Sequence, residues 1–185
     1  TPKRVLVIRL DRLGDVILSL PTAQLLRQHF PHAFIAMMVR PGCRELVQGH
    51  PALNEVILYH KDDLHRSPGA TIRFARGLRG YEFDTALILH PSTRSHWIPW
   101  LAGISVRIGY DRKGHWLLTH RIPHRKQEGT QHEARYTLEL LEPFGIRPVL
   151  LPPVLPLQAG ATQRVAALLA ASAIHPEERL IAVHP

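Results

Sequence analysis

Two acids and a glycine follow the first apolar segment of the chain: Asp11, Gly14 and Asp15. Residues 5–10 are apolar apart from Arg9 and rich in β-branched types, a pattern that predicts a strand covered on both faces. Gly14 would let the backbone turn tightly and approach a ligand, and Asp15 would fall in the first turn of the following helix, where the helix dipole favours a negative charge. A carboxylate at such a turn can accept a proton or pair with a cation.

A purely structural interpretation of the same acids is also open. Acids are common at helix starts, so Asp11 or Asp15 could serve only as a helix cap. The chain contains neither G-x-G-x-x-G nor G-x-x-x-x-G-K-[ST], so the turn is not one of these phosphate-binding fingerprints.

The elements that must position these acids alternate between strand and helix. This alternation predicts an α/β fold, a Rossmann-like parallel sheet with helices on both faces and right-handed crossovers. The predicted strands are 4–10, 34–39, 55–59, 85–90 and 106–109, and the predicted helices are 15–29, 42–48, 69–79 and 94–102.

Ligands of such sheets bind outside the carboxyl ends of the strands, near the point where strand order reverses. The segments that follow the predicted strands are rich in cationic and imidazole side chains, so Asp15 would be one acid facing a cationic rim suited to anionic substrates. The alternative is that these charges only solvate exposed loops. The side chains concerned are Arg12, Arg40, His60, Lys61, His65, Arg66, Arg94, His96, Arg112 and Lys113.

The composition is that of a basic globular protein. The 185 residues carry a formal net charge of +8, with 45% hydrophobic residues. A basic surface attracts nucleic acid, anionic lipid headgroups or phosphorylated sugars. No apolar run approaches the roughly 18 residues that cross a bilayer, and the N-terminal segment is no secretory signal, so we expect a cytoplasmic protein. Cys43 is the single cysteine, and the histidines lack metal-ligand spacing, so we expect no disulfide and no metal.

The last third of the chain predicts a change of domain. Residues 132–145 have the pattern of an amphipathic helix, and the prolines at positions 148, 152, 153 and 156 exclude a helix in the stretch that follows. We expect a first domain over 1–158, a linker and connecting helix over 159–178, and the first strand of a second domain over 179–185. Alternatively, residues 180–184 would close the first sheet as an edge strand.

Three segments, in order, resemble glycosyltransferase family 9, the ADP-heptose:lipopolysaccharide heptosyltransferases. They are Val5-Leu-Val-Ile-Arg-Leu-Asp-Arg-Leu-Gly-Asp-Val-Ile-Leu-Ser-Leu-Pro21, Leu101-Ala-Gly-Ile-Ser-Val-Arg-Ile-Gly-Tyr110 and Ile181-Ala-Val-His-Pro185. The resemblance implies the N-terminal, acceptor-binding domain of a GT-B enzyme, in which two Rossmann-like domains face one another. It also implies that the chain by itself would be inactive.

The resemblance implies roles for individual residues. Asp15 would be the general base of an inverting transfer that needs neither metal nor cofactor, and the turn at Leu13 and Gly14 would lie near the nucleotide-sugar donor, ADP-heptose. The acceptor would be the anionic lipopolysaccharide core, which would bring the enzyme to the cytoplasmic face of the inner membrane. The acceptor contacts that we predict from their places after the strands are Arg94 and His96, followed by Arg40, Arg66 and Arg12.

Two other functions compete with this one. A family 9 transferase could use another nucleotide sugar or acceptor. A basic nucleic-acid-binding module would need aromatic residues interleaved with Arg and Lys, but aromatics are only 6% of the chain and its cations are scattered, so we expect no nucleic-acid partner.

Overall fold

The first apolar segment forms a central strand of a parallel sheet. In the computed structural model, which describes residues 1–175, 177–181 and 183, the sheet has six strands in the order β3-β2-β1-β4-β5-β6. All adjacent pairs are parallel, as predicted. The strands are β1 (Arg4–Ile8), β2 (Phe34–Val39), β3 (Glu55–Leu58), β4 (Thr85–Ile88), β5 (Val106–Tyr110) and β6 (His120–Ile122).

Helices cover both faces of this sheet, which confirms the predicted α/β class. Alternate residues of β1 belong to two separate apolar clusters: Val5 and Val7 pack in one, Leu6 and Ile8 in the other, and all four are fully buried. The helices are α1 (Leu13–Ile17), α2 (Leu20–His29), α3 (Arg44–Val47), α4 (Pro68–Gly77), α5 (Thr93–Leu101), α6 (Glu133–Glu139) and α7 (Ala161–Ala171).

The single helix predicted over 15–29 is wrong, because the structure divides it into α1 and α2. Pro21 lies in the first turn of α2 and has no N–H to donate to the carbonyl of Ile17. The apolar pattern continues through the break, so periodicity did not reveal it. The break ends α1 after five residues, and Asp15 lies at the centre of this short helix.

Strand β6 was not predicted. It has only three residues, His120–Ile122, none of which is buried, so it lacks the apolar pattern on which strand prediction depends. It pairs with β5 through Ile108 and Tyr110, at the edge of the sheet.

The proline-containing stretch has no helix, as predicted, but it lies against the domain. The Gln24 side chain donates to the carbonyl of Pro152 (3.4 Å) and accepts from the backbone N–H of Val154 (3.4 Å). Gln158 donates to two carbonyls at α3, Glu45 and Gln48, both at 3.1 Å. This segment therefore crosses α2 and α3 on its way to α7.

The strand predicted over 179–185 falls partly outside the described residues, which omit Ala182, His184 and Pro185. Residues 179–181 and 183 carry no strand in the structure. The division into domains at 158 and 178 remains a prediction. Within the described part of the chain, no helix is long and apolar enough to cross a membrane.

Candidate functional site

Arg9 lies at the centre of the site, directly after β1. Its side chain is only 2% exposed and donates from Nη1 to the carbonyl of Leu89 (2.7 Å), at the end of β4. Its Nη2 donates to Oδ1 of Asp15 (2.8 Å), and its Nε approaches Oδ1 of Asp11 (2.8 Å) in an ionic contact. Glu133, at the start of α6, lies 3.8 Å from Nη2. One guanidinium thus links two strands and two helices.

This position follows from the strand order. The chain passes from β1 to β2 on one side of the sheet, whereas β4 lies on the other side of β1. The connections that leave the carboxyl ends of β1 and β4 therefore run in opposite directions and leave a crevice between them. Open α/β sheets bind their ligands in such a crevice. Arg9, the one charged residue of the apolar segment 5–10, lies at the floor of this crevice.

Asp15 belongs to the first turn of α1, as predicted, and its side chain is 31% exposed. The N-cap residue of this helix is Arg12, whose side chain makes no capping hydrogen bond. The Asp15 carboxylate instead accepts from Arg9. The cap interpretation is therefore wrong for Asp15. Its Oδ1 is held by Arg9, and its side chain remains accessible from the crevice.

Asp11 has a second partner that sequence reasoning missed. Its Oδ2 lies 3.0 Å from Nδ1 of His90, two residues beyond β4. Burial alone would raise the pKa of Asp11, but the hydrogen bond from His90 and the positive charge of Arg9 together lower it below its ordinary value. Nothing in the local spacing of these residues predicts the pair, because strand pairing alone brings β1 and β4 together.

Behind these acids lies a second layer of charged and aromatic residues. Glu133 also forms an ion pair with Lys126, whose Nζ lies 5.5 Å from the ring centroid of Tyr110. The Tyr110 hydroxyl donates to the carbonyl of Tyr136 (2.7 Å), and burial raises the pKa of Tyr110 far above its ordinary value. Tyr110 therefore stays protonated and holds α6 against β5.

The crevice is an open cleft of about 360 Å³, here called the central cleft. Burial and the nearby Arg112 and Lys126 lower the pKa of His124, so this ring is neutral at pH 7. The prediction of one acid facing a cationic rim is thus too simple. Three acids, Asp11, Asp15 and Glu133, surround Arg9 at the floor of the cleft, and the cations Arg112 and Lys126 lie at its rim. The cleft is bounded by Arg9, Asp11, Asp15, Leu89, His90, Pro91, Arg112, His124, Lys126 and Gln127.

Two further clefts continue along the same edge of the sheet. The outer cleft, about 440 Å³, brings together three predicted residues, Arg12, Leu13 and Arg40, and shares Asp11 with the central cleft. The loop cleft, about 630 Å³, contains Arg66 and Arg94 and shares Lys61 and Asp62 with the outer cleft. The carboxyl edge is therefore a continuous surface with the predicted arginines along it.

The arginines along this surface are partly committed to the fold. Arg40 forms an ion pair with Asp62. Arg94 donates to the carbonyls of Lys61 (3.0 Å) and Arg66 (2.7 Å), and so fixes the loop after β3 against the start of α5. Arg12 and Gly14 are exposed, and a Cβ at Gly14 would meet nothing within 4 Å.

His96 is a correction to the predicted acceptor contacts. It is fully buried, its Nδ1 bonds to the carbonyl of Ser92 (2.7 Å), and it faces none of the three clefts. Burial lowers its pKa, so the ring is neutral at pH 7. This placement does not support a direct contact between His96 and an acceptor.

The described part of the chain lacks a cluster of three metal-ligating side chains, and its cysteine is buried. Among residues 1–175, 177–181 and 183, no three His, Cys, Asp or Glu side chains cluster closely enough to hold a metal ion. Cys43 is buried, and burial raises the pKa of its thiol, although the charge of Arg40 partly opposes this.

The six-stranded parallel sheet with helices on both faces matches one half of solved GT-B glycosyltransferases. A family 9 glycosyltransferase from Veillonella parvula superposes with a TM-score of 0.83 at 23% identity, over 94% of this chain and 51% of that one. The Escherichia coli ADP-heptose LPS heptosyltransferase II superposes with a TM-score of 0.69 at 21% identity, over 94% and 52%. These likenesses establish the fold.

Sequence comparison establishes the family. The profile of glycosyltransferase family 9 (heptosyltransferase) matches residues 71–178, more than half of the chain, which therefore belongs to this family. The lipopolysaccharide heptosyltransferase 2 of E. coli is 30% identical over 107 residues, 58% of this chain and 31% of that protein. A putative glycosyltransferase of Haemophilus influenzae is 25% identical over 145 residues, 77% of this chain and 40% of that protein. The aligned segments cover less than half the length of these two relatives.

Replacing Arg9 with Met should destabilise the domain by about 3 kcal/mol or more, because the acids around it would lose their buried counter-charge. Urea denaturation at pH 7 measures the change. The matched control is Arg40→Met, which breaks a more exposed ion pair and should cost about 1 kcal/mol or less. Equal losses in the two variants would contradict the central position of Arg9.

The stability conferred by Asp11 should depend on pH. Since its folded pKa is lowered, its contribution is complete above about pH 3.9, the ordinary value for Asp, and is lost as the pH falls through the folded pKa. The difference in unfolding free energy between the native chain and Asp11→Asn should therefore shrink on acidification. A difference that stays constant from neutral pH into the acid range would disprove the pairing of Asp11 with Arg9 and His90.

Proposed function

We propose that this chain is the acceptor-binding half of an inverting, metal-independent heptosyltransferase. It would transfer heptose from ADP-heptose to the lipopolysaccharide inner core, on the cytoplasmic side of the inner membrane. The observation that carries the proposal is Asp15, a carboxylate anchored by Arg9 at the strand-order reversal and accessible from the central cleft. Family membership supports the type of reaction.

In this mechanism Asp15 is the general base. It takes the proton of an acceptor hydroxyl while that oxygen attacks the anomeric carbon of the heptose. The bond between that carbon and the diphosphate breaks, ADP leaves with the bonding electrons, and the configuration inverts. A carboxylate held in place by Arg9 suits this role, because a base must be positioned before the proton moves.

The turn before Asp15 would face the donor. Leu13 is 54% exposed, and Gly14 leaves open space where a side chain would otherwise stand. The absence of a Cβ at Gly14 would let the sugar of the donor approach the backbone of α1. Two solved structures of one relative, an E. coli heptosyltransferase, support a nucleotide-sugar donor: one is with ADP, and the other is with ADP-2-deoxy-2-fluoro heptose.

The acceptor would lie along the carboxyl edge. Arg12 and Arg40 in the outer cleft and Arg66 and Arg94 in the loop cleft would meet the carboxylates and phosphates of an inner core, and guanidinium groups bind such planar or multidentate anions well. Arg12 and Arg66 are exposed, and we assign them the most direct contacts. Arg94 would act mainly by holding the loop.

The donor contacts would belong to a second half of the protein. Because the chain spans about half of the solved relatives, we assign most nucleotide binding to a second Rossmann-like domain. We retain the boundaries at 158 and 178 for the first domain and the connecting helix. On this proposal the chain alone does not catalyse transfer.

Transfer from ADP-heptose to a heptose-deficient core acceptor by the full-length protein tests the substrate assignment. We expect a heptosylated product without added divalent metal and in the presence of a chelator. Mass spectrometry of the acceptor measures this. Turnover with another nucleotide sugar and none with ADP-heptose would instead make the protein a family 9 transferase of different specificity.

Replacing Asp15 with Asn in the full-length protein should lower kcat by about 10² to 10⁴, since this is the usual contribution of a positioned base. Arg9 can still donate to the amide oxygen, so the fold should survive; thermal unfolding checks this. The control is Asp63→Asn, an exposed acid of the outer cleft with no contact to Arg9, which should retain nearly full activity. Wild-type turnover in a folded Asp15→Asn protein would refute the assignment of the base.

A further inference from the structure

All three tryptophans of the chain lie together on its surface. Trp97 and Trp100 belong to α5, and Trp116 belongs to a short 3₁₀ turn, His115–Leu117. The ring centroids of Trp97 and Trp100 are 5.8 Å apart, and those of Trp97 and Trp116 are 6.4 Å apart. The three residues are 38%, 46% and 61% exposed, respectively. We call this cluster the tryptophan surface.

The fold holds this surface in place through His96 and Gly114. Gly114 has a φ of +85°, and a Cβ there would lie 3.4 Å from Nδ1 of His96. The turn that carries Trp116 therefore packs closely on α5, with the buried His96 ring beneath it. This gives His96 a structural role in place of the predicted acceptor contact.

Basic side chains border the tryptophan surface. Arg112 and Lys113 are exposed in the loop that leads to Trp116, and Arg94 lies on α5 one turn before Trp97. Asp111, an acid of the same loop, lies 3.0 Å from Nδ1 of His115. The guanidinium of Arg94 is held by loop carbonyls, so the exposed cations of this border are Arg112 and Lys113, beside the acid Asp111, in a chain whose net charge is +8.

We propose that the tryptophan surface docks on the anionic headgroup region of a lipid bilayer. Tryptophan is enriched at membrane interfaces, where its apolar body and polar N–H both find suitable surroundings, and bordering Arg and Lys side chains are attracted to lipid phosphates. Tryptophan is also enriched in the cores of protein interfaces, so a second copy of the chain is the competing occupant. A sugar-binding platform fits less well, because no tryptophan lines any of the three clefts.

Docking would bring the clefts to the membrane. Arg112 lines the central cleft and Arg94 lines the loop cleft, so the loop and the helix that carry the tryptophans also reach the site. A lipid-anchored acceptor would then meet the carboxyl edge beside the bilayer. This consequence rests on the proposed function, whereas docking itself does not.

Vesicle binding of the chain tests the proposal directly. We would use vesicles of equal parts phosphatidylethanolamine and phosphatidylglycerol, with pure phosphatidylcholine vesicles for comparison. We expect the chain to sediment with the anionic vesicles and salt to weaken this binding. Because every tryptophan lies in the surface, intrinsic fluorescence should shift to shorter wavelength on binding and be quenched by brominated lipid. Sedimentation without quenching would overturn the proposal.

Substitutions locate the surface. Trp100→Gln together with Trp116→Gln should lower the vesicle partition coefficient about tenfold, by removing two interfacial side chains. Lys113→Gln should lower the partition coefficient roughly fivefold, and only on anionic vesicles. The matched control is Leu157→Gln with Leu168→Gln, two apolar residues that are 84% and 67% exposed elsewhere on the chain. A loss in this control with none in the tryptophan variant would place docking elsewhere and refute the proposal.

The remaining outcomes are also decisive. A fluorescence shift that grows with protein concentration in the absence of vesicles, with a dimer in sedimentation equilibrium, would assign the surface to a second copy of the chain. In the full-length protein, the tryptophan variant should keep transfer to a water-soluble acceptor, while its vesicle partition coefficient falls about tenfold. Failure of docking therefore leaves the heptose assignment intact, and failure of heptose transfer leaves docking intact.

Discussion

The site depends on one buried guanidinium. Burying the charge of Arg9 would be very costly without partners, and the fold supplies them from four elements: the carbonyl of Leu89 after β4, Asp11 after β1, Asp15 in α1 and Glu133 in α6. The same contacts that satisfy Arg9 fix the ends of these elements relative to one another. The ion pairs and the hydrogen bond that offset the cost of burying Arg9 also hold the Asp15 carboxylate in a fixed orientation at the crevice.

The strand order explains why these groups meet. The strands before β4 are added on one side of β1, and β4 and the later strands are added on the other side. No crossover therefore covers the ends of β1 and β4. His90 reaches Asp11 across this gap, and Lys126 and Glu133 close its far side. In the short helix α1, which ends before Pro21, Leu13 and Gly14 are exposed beside Asp15, and Leu13 lines the outer cleft.

The basic charge of the chain is used in several ways. Arg9 is a structural counter-ion in the interior, Arg94 holds a loop through its carbonyls, and Arg12 and Arg66 are exposed at the clefts. Arg112 lies between the central cleft and the tryptophan surface. Net charge alone suggests only an anionic partner. The structure shows which cations stabilise the interior and which are exposed and free to bind.

The sequence by itself determined the alternating parallel fold, the place of Asp15 in the first turn of a helix after β1, and the carboxyl-edge position of Arg12, Arg40, Arg66 and Arg94. These features are local, since hydrophobic periodicity and the residues that follow each strand define them. Tertiary structure alone decided that Arg9 joins Asp11, Asp15 and Glu133, that His90 pairs with Asp11, and that His96 is buried beneath the Trp116 turn. Such contacts join distant parts of the chain, and they arise from strand order and helix packing, which the spacing of residues along one element does not contain.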